Sequence, residues 1–254
     1  MRELLEAVAA GELSPAEAET RLRGYATTGA GRFDAAREQR RGVPEAIFAP
    51  GKSPSAVAEL TRVALDTTGH ALLTRVSTAD VDAVTDAVAD DVVLDHDGRG
   101  RTLVARRPEY EPPSVDAVVA VATGGTADAA VASEAEAVLD VMGVGVTRID
   151  DVGVAHLGRV LDHLDALRAA DVLVVAAGRE GALPTVVAGL VETPVIGVPV
   201  SSGYGHGGDG SAALAGMLQS CTVLSVVNVD AGFVAGVQAG LVARAVDDAR
   251  SDSA

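Results

Sequence analysis

The sequence predicts an α/β protein in two parts: a C-terminal doubly wound parallel sheet, preceded by a smaller α/β or α+β module. Three observations predict it. Hydrophobic residues fill 48% of the 254 positions and aromatics only 2%, so a core must be built from Val, Ala and Leu, the residues of parallel strands covered by helices on both faces. Strand-like and helix-like stretches alternate regularly from residue 115 to 250, as repeated βα units do. Finally, Arg107-Pro108-Glu109-Tyr110-Glu111-Pro112-Pro113 combines prolines with charge and has no periodicity. It marks a linker over 107–114 and sets the modules at 1–106 and 115–250.

Taken in order, residues 1–25 read as two short helices, the second introduced by Ser14 as a cap and Pro15 at the first helical position. Gly29-Ala30-Gly31 breaks the pattern, and residues 32–49 mix short extended stretches with the charged run Arg37-Glu38-Gln39-Arg40-Arg41. Helical periodicity over 53–66 is followed by a strand over 71–76, a helix over 78–89 and an extended stretch over 92–94. Asp97-Gly98 is a hairpin turn leading into 102–105. In the second module the pattern predicts strands at 117–122, 144–149, 171–176, 194–199 and 223–229. Helices fall at 128–142, 155–169, 181–190, 208–220 and 231–248. Such units imply right-handed crossovers onto one sheet.

Charge and cysteine usage exclude several classes of function. A formal net charge of -16 repels nucleic-acid phosphates, so a phosphate-bearing ligand must be a small molecule held locally. Lys52 is the single lysine, and the acid-rich surface suits a high-salt cytoplasm or ordinary solubility alike. Cys221 is the single cysteine, so there is neither an intramolecular disulfide nor a cysteine cluster for zinc or iron–sulfur. The start, Met1-Arg2-Glu3-Leu4-Leu5-Glu6, lacks the apolar core of a signal peptide, and runs such as 172–177 are far short of the ~20 residues of a membrane span. A cytoplasmic protein is expected, with neither nucleic-acid nor membrane partners.

Ligands of doubly wound sheets bind at the carboxyl ends of the strands, which directs attention to five loops. In the first, Gly124, Gly125 and Thr126 stand before a helix, where free amides favour an anion; Thr126 or Asp128 alternatively just caps that helix. The glycine-rich run 203–210 forms either a backbone nest for phosphate or a bare surface loop. Glu180 follows a strand in an apolar neighbourhood, where a carboxylate becomes a proton acceptor or donor, or is only a first-turn helix charge. His156 begins a helix and has the same ambiguity. Cys221 lies between a helix and a strand; it is a small core residue, or a nucleophile needing a cationic partner.

A family resemblance sharpens these alternatives. Ala177-Gly178-Arg179-Glu180-Gly181-Ala182-Leu183-Pro184, Pro194-Val195-Ile196-Gly197-Val198-Pro199 and Gly125-Thr126-Ala127-Asp128 resemble the core of PurE (AIR carboxylase) proteins. Gly31-Arg32-Phe33-Asp34 with Arg37 and Arg40, Gly51-Lys52, Thr74-Arg75-Val76, Asp151-Val152-Gly153-Val154-Ala155, Gly203-Tyr204-Gly205 and Ser220-Cys221 resemble the LarB family, PurE-related carboxylases of nickel-pincer cofactor biosynthesis. The likeness runs over nearly the whole chain. It departs from the family at His156-Leu157-Gly158-Arg159, His206, Gln219 and Ala231.

The resemblance implies an enzyme that carboxylates nicotinic acid adenine dinucleotide at pyridinium C5 and hydrolyses its phosphoanhydride. The products would be pyridinium-3,5-biscarboxylic acid mononucleotide and AMP, on the route that matures lactate racemase and similar enzymes. It implies CO2 or bicarbonate as co-substrate, Mg2+ assisting hydrolysis, and a homo-octamer or other homo-oligomer. Cys221 would add to ring C4, Glu180 or Asp128 would act as base, and Asp128 would be the candidate metal ligand. Gly125, Thr126, Gly181, Ser202, Gly203, Tyr204, Gly205 and Arg75 would hold the substrate and its phosphates. The alternatives are a PurE-type aminoimidazole ribonucleotide carboxylase or mutase, and a nucleotide-binding regulatory module without chemistry.

Overall fold

Side-chain caps set the start of the two longer helices of the first unit, α4 and α5 below, in the computed structural model, which describes residues 2–11, 13–203 and 205–252. The chain splits into two compact units, residues 1–97 with 101–111, and residues 98–100 with 112–254. In the first, α1 (Arg2–Ala9) and α2 (Pro15–Arg23) precede a small hairpin, β1 (Ala26–Thr28) and β2 (Gly31–Phe33). The charged run is itself a helix, α3 (Arg37–Arg41), with Glu38 in its first turn, Arg40 and Arg41 in its last and a left-handed Gly42 cap. That order of charges suits the helix dipole.

Next come β3 (Ala46–Phe48), α4 (Pro54–Thr68), β4 (His70–Thr74), α5 (Thr78–Ala87), β5 (Val93–Asp97) and β6 (Thr102–Arg106). Ser53 caps α4 by accepting from Ala56 N–H with Pro54 at the first turn, and Ser77 with Asp80 forms a reciprocal capping box on α5. The sheet order is β3-β4-β6-β5, parallel at β3/β4 and antiparallel elsewhere. Ile47, Ala71, Leu73, Leu103 and Ala105 pack under Val57, Leu60, Ala64 and Val84 of the two helices. This unit is therefore α+β.

The second unit runs β7 (Val115–Thr123), α6 (Ala129–Val141), β8 (Val144–Ile149), α7 (Gly158–Leu161), α8 (Leu164–Ala169), β9 (Val172–Ala177), α9 (Ala182–Ala188), β10 (Val195–Pro199), α10 (Ser211–Leu218), β11 (Ser225–Val226) and α11 (Gly232–Ser251). Every strand pair is parallel, in the order β11-β10-β9-β7-β8. After β8 the chain crosses back past β7 to begin β9, so the winding reverses between β7 and β9. A crevice opens at such a point.

Alternation along β7 sends Ala120 and Ala122 into the core under Leu167, Leu183 and Val187, while Val119 and Val121 face the side where α6 and α11 lie. Two of the expected elements are shorter than the pattern suggested. The helix expected over 155–169 breaks into a 3₁₀ turn, α7 and α8, because Leu157 and Leu161 remain 53% and 51% exposed and give no continuous buried stripe. The edge strand expected over 223–229 is reduced to β11, with Val223 fully in solvent.

Helix α11 lies close against α6, since a Cβ on Gly232 would stand 2.1 Å from the Val131 carbonyl oxygen. Buried Glu134 of α6 accepts a hydrogen bond from Phe233 N–H at 3.1 Å, satisfying one amide of the first turn of α11. At the other end of α11, Arg250 grips Asp171 through Nη2–Oδ1 at 2.6 Å and Nη1–Oδ2 at 3.2 Å, and donates to the Asp116 carbonyl. No helix among the described residues is long and apolar enough to cross a membrane.

Candidate active site

Backbone strain gathers at the carboxyl ends of the parallel strands. Asp151, Arg179 and Asp230 have φ of 58°, 52° and 56°, and each follows a strand, β8, β9 and β11 respectively. A non-glycine residue in the left-handed region costs on the order of 1–3 kcal/mol and persists only where its surroundings hold it. The surroundings here are specific. Buried Thr123, at the end of β7, donates to Asp150 Oδ1 at 2.9 Å and accepts from Asp151 N–H at 3.1 Å, fixing the loop after β8.

Between these loops lies a cleft of about 430 Å³, lined by Gly124, Gly125, Ala127 and Asp128 after β7, Gly153 to Ala155 after β8, Ala177 to Glu180 with Ala182 and Leu183 around the start of α9, and Ser202 with Gly203 after β10. It occupies the β7/β9 switch point. Asp128 is its buried acid, 5% exposed. Gly125 N–H donates to Asp128 Oδ2 at 2.9 Å and the Ser202 hydroxyl donates to Oδ1 at 3.2 Å. Burial pushes the Asp128 carboxyl above its ordinary range, and the Gly125 and Ser202 hydrogen bonds offset only part of that. Glu180 lines the same cleft from an exposed position at the rim, beside Arg179. The cleft thus presents two carboxyl groups in different surroundings, one buried and one exposed.

The fold thus brings together Gly125, Asp128, Glu180, Ser202 and Gly203. The other expected residues lie elsewhere. Thr126 is exposed on the 3₁₀ turn and does not line the cleft. Gly181 turns away, its missing Cβ directed to 2.5 Å from the Ala213 carbonyl oxygen, so this left-handed glycine serves the contact with α10. Gly205 belongs to an adjoining concavity with His206, Asp209 and Ser211, and Tyr204 lies outside the described residues. Arg75 is part of the first unit, at φ 59°, with its carbonyl accepting from Arg101. His156 is exposed and does not line the cleft.

Cys221 is exposed, which removes the reading of a core thiol. It does not line the cleft. Helix α10 carries the chain from the carboxyl end of β10 back to the amino end of β11, and its 8 residues span about 12 Å. Cys221 follows that helix, and the adjacent Thr222 hydroxyl donates to the Thr185 carbonyl, past the start of α9 where the cleft lies. The helix before Cys221 packs against the loop that carries Glu180, since a Cβ on Gly216 would stand 2.1 Å from the Glu180 carbonyl oxygen, yet the thiol itself is not part of the cleft lining. Arg179, Val154 and Ala155 also line the cleft; their loops were singled out by position after a strand, which gave these residues no chemistry by itself.

The parallel sheet and its switch-point cleft define a doubly wound α/β domain with a ligand-sized cleft at the carboxyl ends of its strands. The chain belongs to the AIR carboxylase family, whose model matches residues 118–252. Residues 25–107 match the LarB/PurE-like N-terminal domain, so the architecture is that of LarB proteins, and its chemistry falls among the carboxylations of the AIR carboxylase family. Uncharacterized protein MJ0165 of Methanocaldococcus jannaschii is 36% identical over 220 residues, 84% of each chain. Crystal structures of Treponema denticola PurE and of a single-site PurE2 variant from the same organism resemble 54% of this chain and 96% of theirs, at 20% identity and a TM-score of 0.38.

Proposed function

We propose that this protein carboxylates nicotinic acid adenine dinucleotide at pyridinium C5 and hydrolyses its phosphoanhydride, giving pyridinium-3,5-biscarboxylic acid mononucleotide and AMP for a nickel-pincer cofactor. The pairing of a LarB-type N-terminal domain with an AIR carboxylase domain carries this reading.

In this reading the thiolate of Cys221 adds to ring C4, which removes the ring's positive charge and makes C5 nucleophilic. C5 then forms its bond to the carbon of CO2. Glu180, at the rim, takes the C5 proton, the electron pair re-forms the ring, and the C4–S bond breaks to return the thiolate. Asp128, whose two oxygens accept from Gly125 and Ser202, is the second carboxyl group available for proton transfer in the cleft. Cys221 does not line the cleft of its own chain; in this reading it enters the cleft of another copy, which makes the active species a homo-oligomer.

Magnesium would assist the hydrolysis by neutralising the phosphates. Among the described residues no three His, Cys, Asp or Glu side chains group to hold a metal, and both Asp128 oxygens already accept hydrogen bonds. The protein groups present do not fit a bound ion.

A second reading is a PurE-type enzyme acting on aminoimidazole ribonucleotide, favoured by a cleft that lacks a thiol of its own chain. Incubation with nicotinic acid adenine dinucleotide, magnesium and bicarbonate at high salt, with aminoimidazole ribonucleotide in parallel, separates the two by mass spectrometry. A dicarboxylated mononucleotide with AMP is expected; folded protein that carboxylates only the imidazole sinks the proposal, and folded protein inert to both supports a module without chemistry.

A further inference from the structure

The acid at the bottom of the cleft is oriented by a serine that is itself held from a distant loop. Asp230, four residues beyond β11, donates its N–H to the Pro199 carbonyl at 2.9 Å. Its carboxylate accepts from Ser201 twice, Oδ1 from the backbone N–H at 2.8 Å and Oδ2 from the hydroxyl at 2.5 Å. Residues 199 and 201 are thus fixed on either side of the turn out of β10. The next residue, Ser202, reaches Asp128 Oδ1 at 3.2 Å, the long end of the hydrogen-bond range, so a shift of a few tenths of an ångström would lose it. Asp230 is left-handed at φ 56°, a conformation that needs partners to hold it, and these three hydrogen bonds supply them.

We propose that Asp230 is a positioning residue: its carboxylate clamps Ser201 so that the Ser202 hydroxyl is delivered to Asp128. This rests on the cleft being the carboxylation site. A clamp that acts through Ser202 makes a prediction that a general contribution to folding does not. Once Ser202 is removed, loss of Asp230 should matter little, because its effect has no remaining route to Asp128.

The test compares Asp230→Ala, Asp230→Asn, Ser202→Ala and the double variant Asp230→Ala/Ser202→Ala. Turnover with the pyridinium dinucleotide and amide hydrogen exchange over 200–203 are measured on the full-length chain. Asp230→Ala and Ser202→Ala should each lower kcat by about tenfold to a hundredfold with little change in KM, the size of effect that misplacing a cleft group produces. The double variant should be no slower than the slower single. Asp230→Asn should stay within a few-fold of the parent, since its amide oxygen still accepts from Ser201 N–H and its NH2 donates to the hydroxyl. Amides of 201–203 should exchange faster in Asp230→Ala and not in Ser202→Ala. Multiplying losses in the double variant, or unchanged exchange in Asp230→Ala, overturn the clamp. If the parent protein turns over no pyridinium dinucleotide, the functional reading fails, while the exchange data still decide the clamp by themselves.

Discussion

The two ends of the C-terminal sheet are built on different terms. At the carboxyl end, three non-glycine residues sit in the left-handed region, an acid is buried against glycine amides, and loops from four strands converge on a cleft. At the amino end no described non-glycine residue is left-handed, and the prominent polar contact is the grip of Arg250 on Asp171 and the Asp116 carbonyl, which ties the last helix to β7 and the start of β9. One end holds strain and chemistry, the other anchors the chain. Cys221 belongs to neither group: it is a candidate nucleophile that does not line the cleft, exposed and flanked by Leu218 and Val223 at 65% and 96% exposure. Apolar side chains left bare around a reactive group suit burial against another molecule.

The largest expected effect comes from breaking that arrangement. Cys221→Ser and Glu180→Gln should each lower carboxylation by at least about a hundredfold, the usual worth of a nucleophile or a proton-transfer group. If the thiol of one copy serves the cleft of another, the two inactive chains produced together should recover activity. Random assembly pairs an intact cleft with an intact thiol in about a quarter of sites, which sets the recovery at about a quarter of the parent's rate. Co-expression with two affinity tags and assay of the doubly purified species checks this. No recovery in that mixed species would mean that thiol and carboxylate act within one chain.

Asp128 tests the strained end by itself. Its folded carboxyl is raised above the unfolded value, so the neutral form favours the fold, and that stability is present below about pH 4 and lost as pH rises through the folded value. Asp128→Asn cannot ionise. It should therefore melt higher than the parent at pH 7, by a few degrees, and match it near pH 4, while its turnover falls about a hundredfold or more. Equal melting at both pH values would show that burial does not penalise this carboxylate.

How far the sequence foretold this molecule differs between its levels. Element type was legible wherever apolar periodicity continued: β8 begins and ends where the pattern placed it, and α6 and α11 were displaced by only a few residues. It failed where burial stopped, at Leu157 and Leu161 and at the exposed edge strand near Val223. Asp128 and Glu180 were legible as cleft residues because they follow strands of a parallel sheet, and that rule needs no tertiary detail. The rule said nothing of Cys221, which precedes a strand; the resemblance made it a catalytic residue beside Glu180 and Asp128, and it does not line their cleft. The Asp230–Ser201 clamp joins positions 29 residues apart by side-chain geometry, and no local spacing encodes such a contact.

The smallest effect lies at the anchoring end and separates stability from chemistry. Asp171 meets some desolvation, but the Arg250 hydrogen bond, the Val118 N–H and the Arg250 charge together hold its carboxyl below the ordinary range. A depressed carboxyl contributes stability above its unfolded value, near pH 4, and that contribution fades as pH falls through the folded value. Arg250→Ala should then lower the melting temperature slightly at pH 7, with the gap to the parent closing as pH drops below about 4. Turnover at 25 °C should be unchanged, because Arg250 and Asp171 lie away from the strand ends that build the cleft. Thermal unfolding across pH 3 to 7, paired with turnover, measures both. A change in kcat without a change in melting would mean that the amino end of the sheet is coupled to the cleft, and the division between an anchoring end and a reactive end would no longer describe the domain.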